Sequence, residues 1–439
     1  GAFGEGAVMS ARKMKDSGIE WIGEIPEEWE ISKVSYFYKI TLGKMLQPNA
    51  KEESDTLENY LCALNVFWNK ITTDNIKQMW FAKSEIKQYE LTAGDLIVTE
   101  GGDVAAACIW EGEVNPCYIQ NAVYRVRSLP GFLNKYLYYH LFVAKTTGYI
   151  DMLCNKATIA HFTKDKFSNL PFIVLPLDEQ QKIVAHLDEK CGEIDKVVVS
   201  KQKQNEQLAE YRQSLITEAV TKGLKPLAPM QDSGIEWIGE IPEKWEIKKV
   251  KYLFSVVNGA TPKSSVPEYW DGDIMWITPA DMSFEMFEIK DSRQKITAAG
   301  LASCGTTLVP NGSIVISTRA PIGQICIAGK ELCTNQGCKT LVCFEELCNE
   351  YFYYYLKVQA NVLNMLGRGT TFLELSSRDL EDFLLLLPPL AEQKEIAAYL
   401  DKQCGDIDAL REHNKNIIES LQEYKQSLIY EAVTGKIEL

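Results

Sequence analysis

The sequence predicts an α+β protein. It is read as two globular mixed α/β bodies in tandem pseudo-repeat, each followed by a long helix, with the two helices pairing as a coiled coil. Three observations lead there. First, DSGIEWIGEIPEEWE at 16–30 returns as DSGIEWIGEIPEKWE at 232–246, changed only at Glu28 against Lys244. Second, EQQKIVAHLDEKCGEID at 179–195 returns from Glu392 as EQKEIAAYLDKQCGDID, and YRQSLITEAVT at 211–221 returns as YKQSLIYEAVT at 424–434. Third, apolar residues recur beyond Glu392 in a 3-4 alternation over more than four heptads, the signature of a helix with a helical partner. The offset is 216 for the leaders (16 to 232) and 213 for the helix starts (179 to 392), far beyond the period of a solenoid.

In chain order the repeat divides the sequence into a first body at 14–175, a first helix at 176–225, a second body at 226–388 and a second helix at 389–436. Each body opens on the constant leader. Trp21, Trp29, Trp237 and Trp245 stand there in both copies and are read as packing residues. The variable parts, 31–175 and 247–387, mix strand and helix signals. GDLIVTE (94–100) and GSIVIST (312–318) are rich in Ile and Val after a glycine, as strands are. KYLYYHLFVAK (135–145) and EYFYYYLKVQA (350–360) are expected to be buried aromatic helices.

The second long helix follows Pro388 and Pro389 and ends near Gly435, as helix punctuation requires. Its predicted seam places Ile396, Leu410, Ile417 and Tyr424 at one heptad position and Leu400, Ile407, Leu421 and Leu428 at the other. The first helix repeats the pattern with Ile183, Leu187, Ile194, Val197, Leu208, Tyr211 and Leu215. Lys190, Lys201, Gln204, Gln403 and Asn414 interrupt the two seams. Polar residues in a seam fix register and partner at some cost in stability.

Composition excludes several classes. The formal charge of −14 argues against a general nucleic-acid binder, which carries a basic field, but leaves room for a local cationic face. The longest apolar run, FLLLLPPL at 383–390, is too short for a membrane span and is broken by two prolines. GAFGEGAV lacks the basic and apolar regions of a secretory leader and reads as an appended remnant before Met9. Twelve dispersed cysteines suggest a reducing cytoplasm. Cys333, Cys338, Cys343 and Cys348 recur every fifth residue, yet a period of five alternates strand faces, so buried thiols are expected rather than a zinc site.

Catalytic signatures are sparse. An amino-methyltransferase would need a glycine-rich loop and an Asn/Asp-Pro-Pro-aromatic stretch; NPCY at 115–118 has Cys in place of the second proline and no such loop accompanies it. No phosphate loop of the G-x-x-x-x-G-K-[ST] kind occurs, and His140, His161, His186 and His413 stand in no metal-binding spacing. The triplets Glu85–Lys87, Glu288–Lys290 and Glu392–Lys394 are read as surface charges.

The doubled SGIEWIGEIPE-x-W leader, the paired E-Q-x-x-I helix starts, the two Y-x-Q-S-L-I-x-E-A-V-T ends and NGATPKSSVPEYWDGDIMWIT at 258–278 resemble the specificity subunits of type I restriction–modification systems. The resemblance covers essentially the whole chain. The first copy departs from it at LGKMLQPN (42–49), which has Gly43 but no Thr-Pro pair. It implies that each body is a target recognition domain reading one half of a split site in double-stranded DNA. It also implies that the helices form an antiparallel spacer and that the constant parts dock two modification (methyltransferase) subunits, with restriction subunits joining through them. The chain would then be non-catalytic and without a cofactor of its own: S-adenosylmethionine, ATP and Mg would belong to the partner subunits, in a cytoplasmic complex. A specificity chain of another nuclease–methyltransferase assembly and a coiled-coil protein scaffold stand as alternatives.

Base edges are read by side chains that form paired hydrogen bonds, chiefly Arg or Lys to guanine and Asn or Gln to adenine, from loops. In the second body these are expected at Thr261, Lys263, Ser264, Tyr269, Asp281, Arg319, Arg368 and Thr370. In the first they are expected at Lys44, Gln47, Asn65, Trp68, Lys70, Thr99, Asp103, Lys156 and Thr158.

Overall fold

A computed structural model of the chain describes residues 12–154, 161–235, 238–344, 347–368 and 373–439. It forms two compact units. The first comprises the chain through Lys201 together with Asn416–Leu439, and the second comprises Gln202–Lys415. Trp237, Lys156, Thr158 and Thr370 lie outside the described residues.

The doubled leader folds the same way in each unit, for local reasons. Asp16 Oδ1 accepts the Gly18 N–H at 2.9 Å and Asp232 Oδ1 the Gly234 N–H at 2.9 Å; both glycines are left-handed, with φ of 72° and 68°. The turn leads to a short antiparallel pair, Met14–Asp16 with Glu24–Pro26 in one copy and Met230–Asp232 with Glu240–Pro242 in the other. Trp29 and Trp245 then close a turn on Pro26 and Pro242, and Trp21, Trp29 and Trp245 are all buried. The next strand of each leader, Glu30–Lys33 or Glu246–Lys249, pairs with the strand that precedes the long helix, Pro171–Val174 or Leu384–Leu387.

Between these ends each body is built on an antiparallel sheet. In the first unit the order is Ala107–Ile109, Leu96–Thr99, Val123–Ser128, Tyr38–Leu42. In the second, Ile325–Ala328, Ile314–Ser317, Cys338–Cys343 and Phe254–Asn258 repeat that order, with Glu288–Ile289 added parallel at the edge. The predicted strands Leu96–Thr99 and Ile314–Ser317 are buried at every residue, following Gly94 and Gly312 at φ of 90° and 84°. A second, three-stranded sheet lies in each body, around Thr56–Leu61 and around Trp270–Ile277. Cys338 and Cys343 share one strand but join different cores, so their thiols face apart.

The aromatic helices Asn134–Thr146 and Asn349–Val358 lie in the two main cores, and repeated side chains tie each to its long helix. Gln180 donates to the Leu175 carbonyl at 3.0 Å and accepts the Leu133 N–H at 3.1 Å; Gln393 does the same with Pro388 at 2.8 Å and Cys348 at 3.0 Å. Tyr139 donates to Asp188 at 2.5 Å and Tyr354 to Asp401 at 2.7 Å. The shared E-Q-x-x-I and L-D-x-x-C-G sequences are therefore the bolts of a frame.

The long helices span Leu177–Lys222 and Leu390–Thr434, each about 68 Å by its rise per residue. They run antiparallel in both units. In the first, Ile183 and Ile437 line one hollow while Lys425 bonds Asp195 at 2.6 and 2.8 Å. In the second, Asn414 bonds Asn205 at 3.0 Å and Arg212 pairs with Asp408 at 3.3 Å. Shifting Asp195 and Lys425 by the repeat offset of 213 residues gives Asp408 and Arg212, so one ion pair is written twice.

The predicted seam needs one correction. Ile183, Leu187, Ile194, Ile396, Leu400, Ile407 and Leu428 are buried, and Leu208, Leu215, Ile417 and Leu421 are half-buried. Tyr211, Leu410 and Tyr424 are 55%, 53% and 57% exposed, and Val197 is exposed too. Their heptad position is filled one residue later, by Val198, Arg212, Arg411 and Lys425. Long cationic side chains cover apolar surface with their stems while their heads find carboxylates. A count of apolar residues therefore slips onto the neighbour.

Candidate nucleic-acid interface

The loops that would read DNA rise from the variable sheets, and the structure divides the predicted residues by what their side chains already hold. In the first body Lys44 is buried, paired with Glu85 and 5.2 Å from the Phe81 ring centroid. Burial works against the Glu85 carboxylate, but the Lys44 ammonium and the Ala82 N–H outweigh it and hold its pKa below the usual range. Gln47 is buried and bonds Asp55 at 3.1 Å and the Asn49 carbonyl at 3.2 Å. Trp68 packs on Tyr138 and Phe142, with ring centroids 6.0 and 5.4 Å apart. Thr99 is fully buried, its hydroxyl donating to the Asp103 carbonyl. Lys70 and Asp103 are exposed.

Asn65 and Asp281, expected as base readers, occupy equivalent internal positions. Asn65 Oδ1 accepts the Cys62 N–H at 3.1 Å at the third residue of a short 3₁₀ turn, and its amide donates to the Thr72 carbonyl at 3.1 Å. Asp281 accepts the Thr278 N–H at 2.9 Å at the third residue of the matching turn, as well as the Thr278 hydroxyl at 2.6 Å and the Arg293 N–H at 2.9 Å. Both carboxamide and carboxylate are spent on capping their own turn. The signal was available in the sequence: the two residues lie 216 apart, at the leader's own offset.

Elsewhere in the second body, Thr261 donates to Gln336 at 2.6 Å, and Tyr269 is half-buried beneath Gly300, where a Cβ would lie 2.4 Å from the Tyr269 carbonyl oxygen. Lys263 and Ser264 are exposed in the Thr-Pro loop. Arg319 holds Glu374 at 3.2 Å and Arg368 holds Asp379 at 3.0 Å, with the arginine side chains 50% and 79% exposed. Lys70, Lys263, Ser264, Arg319 and Arg368 thus present exposed side chains, whereas those of Lys44, Gln47, Asn65, Trp68, Thr99 and Asp281 are engaged within the fold.

Among the residues that suggested other chemistry, Asn115, Pro116, Glu288 and Lys290 are exposed. Cys117 and Tyr118 of the NPCY stretch are buried, and Glu288 pairs with Lys290 at 2.6 Å. Among the described residues no three His, Cys, Asp or Glu side chains gather to hold a metal ion. No helix among them is long and apolar enough to cross a membrane.

A frame whose Gln and Tyr bonds to the long helices recur in both units, carrying loops that differ between its copies, defines a duplicated scaffold. The model of the type I restriction modification DNA specificity domain matches the chain twice, at residues 26–207 and 242–420. The chain belongs to the family of type I restriction–modification specificity subunits. The type I restriction enzyme MjaIX specificity subunit of Methanocaldococcus jannaschii is 37% identical over 166 residues; the match spans 37% of this chain and 38% of that protein. The MjaVIII specificity subunit of the same organism is 24% identical over 428 residues, 94% of each chain. A solved chain from a study of complex assembly and conformational transition in a type I R-M system shares the fold. Its TM-score is 0.74 at 17% identity, over 94% of this chain and 99% of that one.

Proposed function

We propose that the chain directs a type I methyltransferase to a split site in double-stranded DNA, one half-site per body, and is itself non-catalytic. The observation that carries this is the division of side chains within each repeat. Frame residues such as Gln180 and Gln393 make the same bonds in both units, as two docking places for identical modification subunits would require. Loop residues such as Lys70, Lys263, Arg319 and Arg368 differ between the copies and stand open, as two readers of different half-sites would require. Arginine can bond guanine or phosphate in a bidentate fashion, and an exposed lysine can neutralise a phosphate. Restriction subunits would join through the modification subunits, which would supply S-adenosylmethionine chemistry, with ATP and Mg used by the restriction subunits. The paired helices would set the length of the unread gap.

The test is a genome-wide map of N6-methyladenine in cells producing the chain with its modification subunit, compared with cells lacking the chain. A split motif dependent on the chain is expected, and exchanging residues 31–175 for those of a relative should change one half of it. Unchanged methylation in the presence of an active, chain-bound methyltransferase would overturn the proposal in favour of a scaffold.

A further inference from the structure

The turns after Thr99 and Ser317 are the same turn in two bodies. Thr99 donates its hydroxyl to the Asp103 carbonyl, and Ser317 donates to the Pro321 carbonyl at 2.7 Å. The Ala105 N–H returns to the Thr99 carbonyl at 3.1 Å and the Gly323 N–H to that of Ser317 at 3.0 Å. The following residue receives a later loop in each case, Phe162 N–H on Glu100 at 2.7 Å and Leu375 N–H on Thr318 at 2.9 Å. This register sets Gly101 against Arg319 and His161 against Glu374. Because Val123 pairs with Thr99 and Cys338 with Ser317, it also sets Tyr124 against Lys339.

The side chains in these matched slots differ in kind. In the first body Tyr124 donates its hydroxyl to the Phe162 carbonyl at 3.0 Å, beside Gly101 and His161. In the second, Lys339 is 5% exposed at the base of the loops. Burial disfavours its ammonium charge, the Glu374 carboxylate supports it and Arg319 opposes it. Glu374 accepts Arg319 Nε at 3.2 Å, and its backbone pairs on the other side with Arg368 through bonds of 3.0 and 3.1 Å. A buried cation needs an anion near it. The Arg319–Glu374 pair, half open to water, is by contrast a weak bond that another anion can replace at little cost. A phosphate oxygen is such an anion, and it gains charge-assisted bonds from a guanidinium.

We propose that Glu374 is an exchangeable counter-ion, holding beside Lys339 and Arg319 the place that a DNA phosphate takes on binding. In the second body this carboxylate is paired with an arginine and competes with the DNA backbone, whereas in the first body Glu100 lies beside the neutral Tyr124 hydroxyl. The inference rests on the DNA-reading function proposed above. Glu374 acts through Arg319 as a positioning residue, and it sets the affinity and salt dependence of one half-site.

The test uses the full chain assembled with its modification subunits and labelled duplexes carrying the methylated motif. Glu374→Gln should tighten binding about twofold to fivefold, the strength of an exposed ion pair. It should also steepen the log–log salt slope by about one, since Arg319 then releases a counterion of its own. Asp291→Asn, at the exposed Asp291–Lys295 pair outside the frame, should change neither. In an Arg319→Ala background the effect of Glu374→Gln should shrink to what acts through Lys339. A Glu374→Gln complex that binds like wild type, or whose effect is undiminished by Arg319→Ala, overturns the counter-ion role alone. A wild-type complex that binds no duplex overturns the DNA-reading function beneath it.

Discussion

Gln180 and Gln393 stand in the two units with the same pair of backbone bonds, whereas Gly101 and Arg319 share a backbone turn and no side-chain chemistry. The difference shows where a duplicated protein is free to diverge. A buried glutamine bonded to two backbone groups cannot be replaced without orphaning both, at about 1–3 kcal/mol each. A residue at the crest of a turn already closed by its neighbours' bonds can be glycine or arginine without disturbing the turn. Between these two pairs, identity persists where the side chain completes the backbone's hydrogen bonding and is lost where it faces outward.

The largest expected effects test the frame. Leu187 and Leu400 are equivalent and fully buried, so Leu187→Ala and Leu400→Ala should each cost about 2–5 kcal/mol. Tyr211→Ala and Tyr424→Ala, equivalent to each other and exposed, should each cost under about 0.5 kcal/mol. Chemical denaturation of the four variants, following both unfolding transitions, checks this. Tyrosine losses comparable to the leucine losses would return the seam to the register the sequence suggested.

That slip marks the limit of legibility. The long helices and one of the two seam positions follow from period and repeat, because apolar burial writes a regular pattern, and the strands at 96–99 and 314–317 follow from Ile and Val after a glycine. The other seam position does not, because Arg212, Arg411 and Lys425 fill it as cations: Arg212 and Lys425 find carboxylates on the other helix, 196 and 230 residues away, and Arg411 finds Asp408 on its own helix. The loops were harder still. Asn65 and Asp281 have the chemistry of base readers, and only the hydrogen bonds of the folded turn reveal that their acceptors are taken. Arg319 and Arg368 were identifiable as open cations, yet their carboxylate partners, Glu374 and Asp379, lie on loops that sequence alone does not bring together.

A smaller effect separates the units by pH. His140 is fully buried against Trp21, Tyr136 and Phe172, and burial pushes its pKa down to about 3. The unfolded chain takes up a proton near pH 6.5 while the folded one stays neutral. This group's contribution is therefore intact above about pH 6.5 and is lost progressively as pH falls towards 3. The equivalent residue in the second unit is Tyr355, which bonds the Leu384 carbonyl at 3.3 Å and is neutral throughout that range. The transition of the first unit should accordingly carry an extra slope approaching about 1.4 kcal/mol per pH unit below pH 6. His140→Phe should remove it and Tyr355→Phe should leave the second unit's slope unchanged. Equal acid slopes in the two units, unaffected by His140→Phe, would show that the imidazole is not the source.

The finest test returns to Asn65 and Asp281, where the frame and the loops meet. If both residues cap their own turns, Asn65→Ala should cost about 1 kcal/mol of stability. Asp281→Ala should cost about 1–3 kcal/mol, because a charged acceptor serving three donors is lost. Neither variant should change which bases are methylated, only how much folded complex forms. The opposite result is equally readable in the same methylation map. A change confined to one base of one half-site, without loss of stability, would mean that the side chain leaves its turn to reach DNA. The two 3₁₀ turns would then belong to the readers, and the boundary between constant frame and variable loop would move inward by one turn in each body.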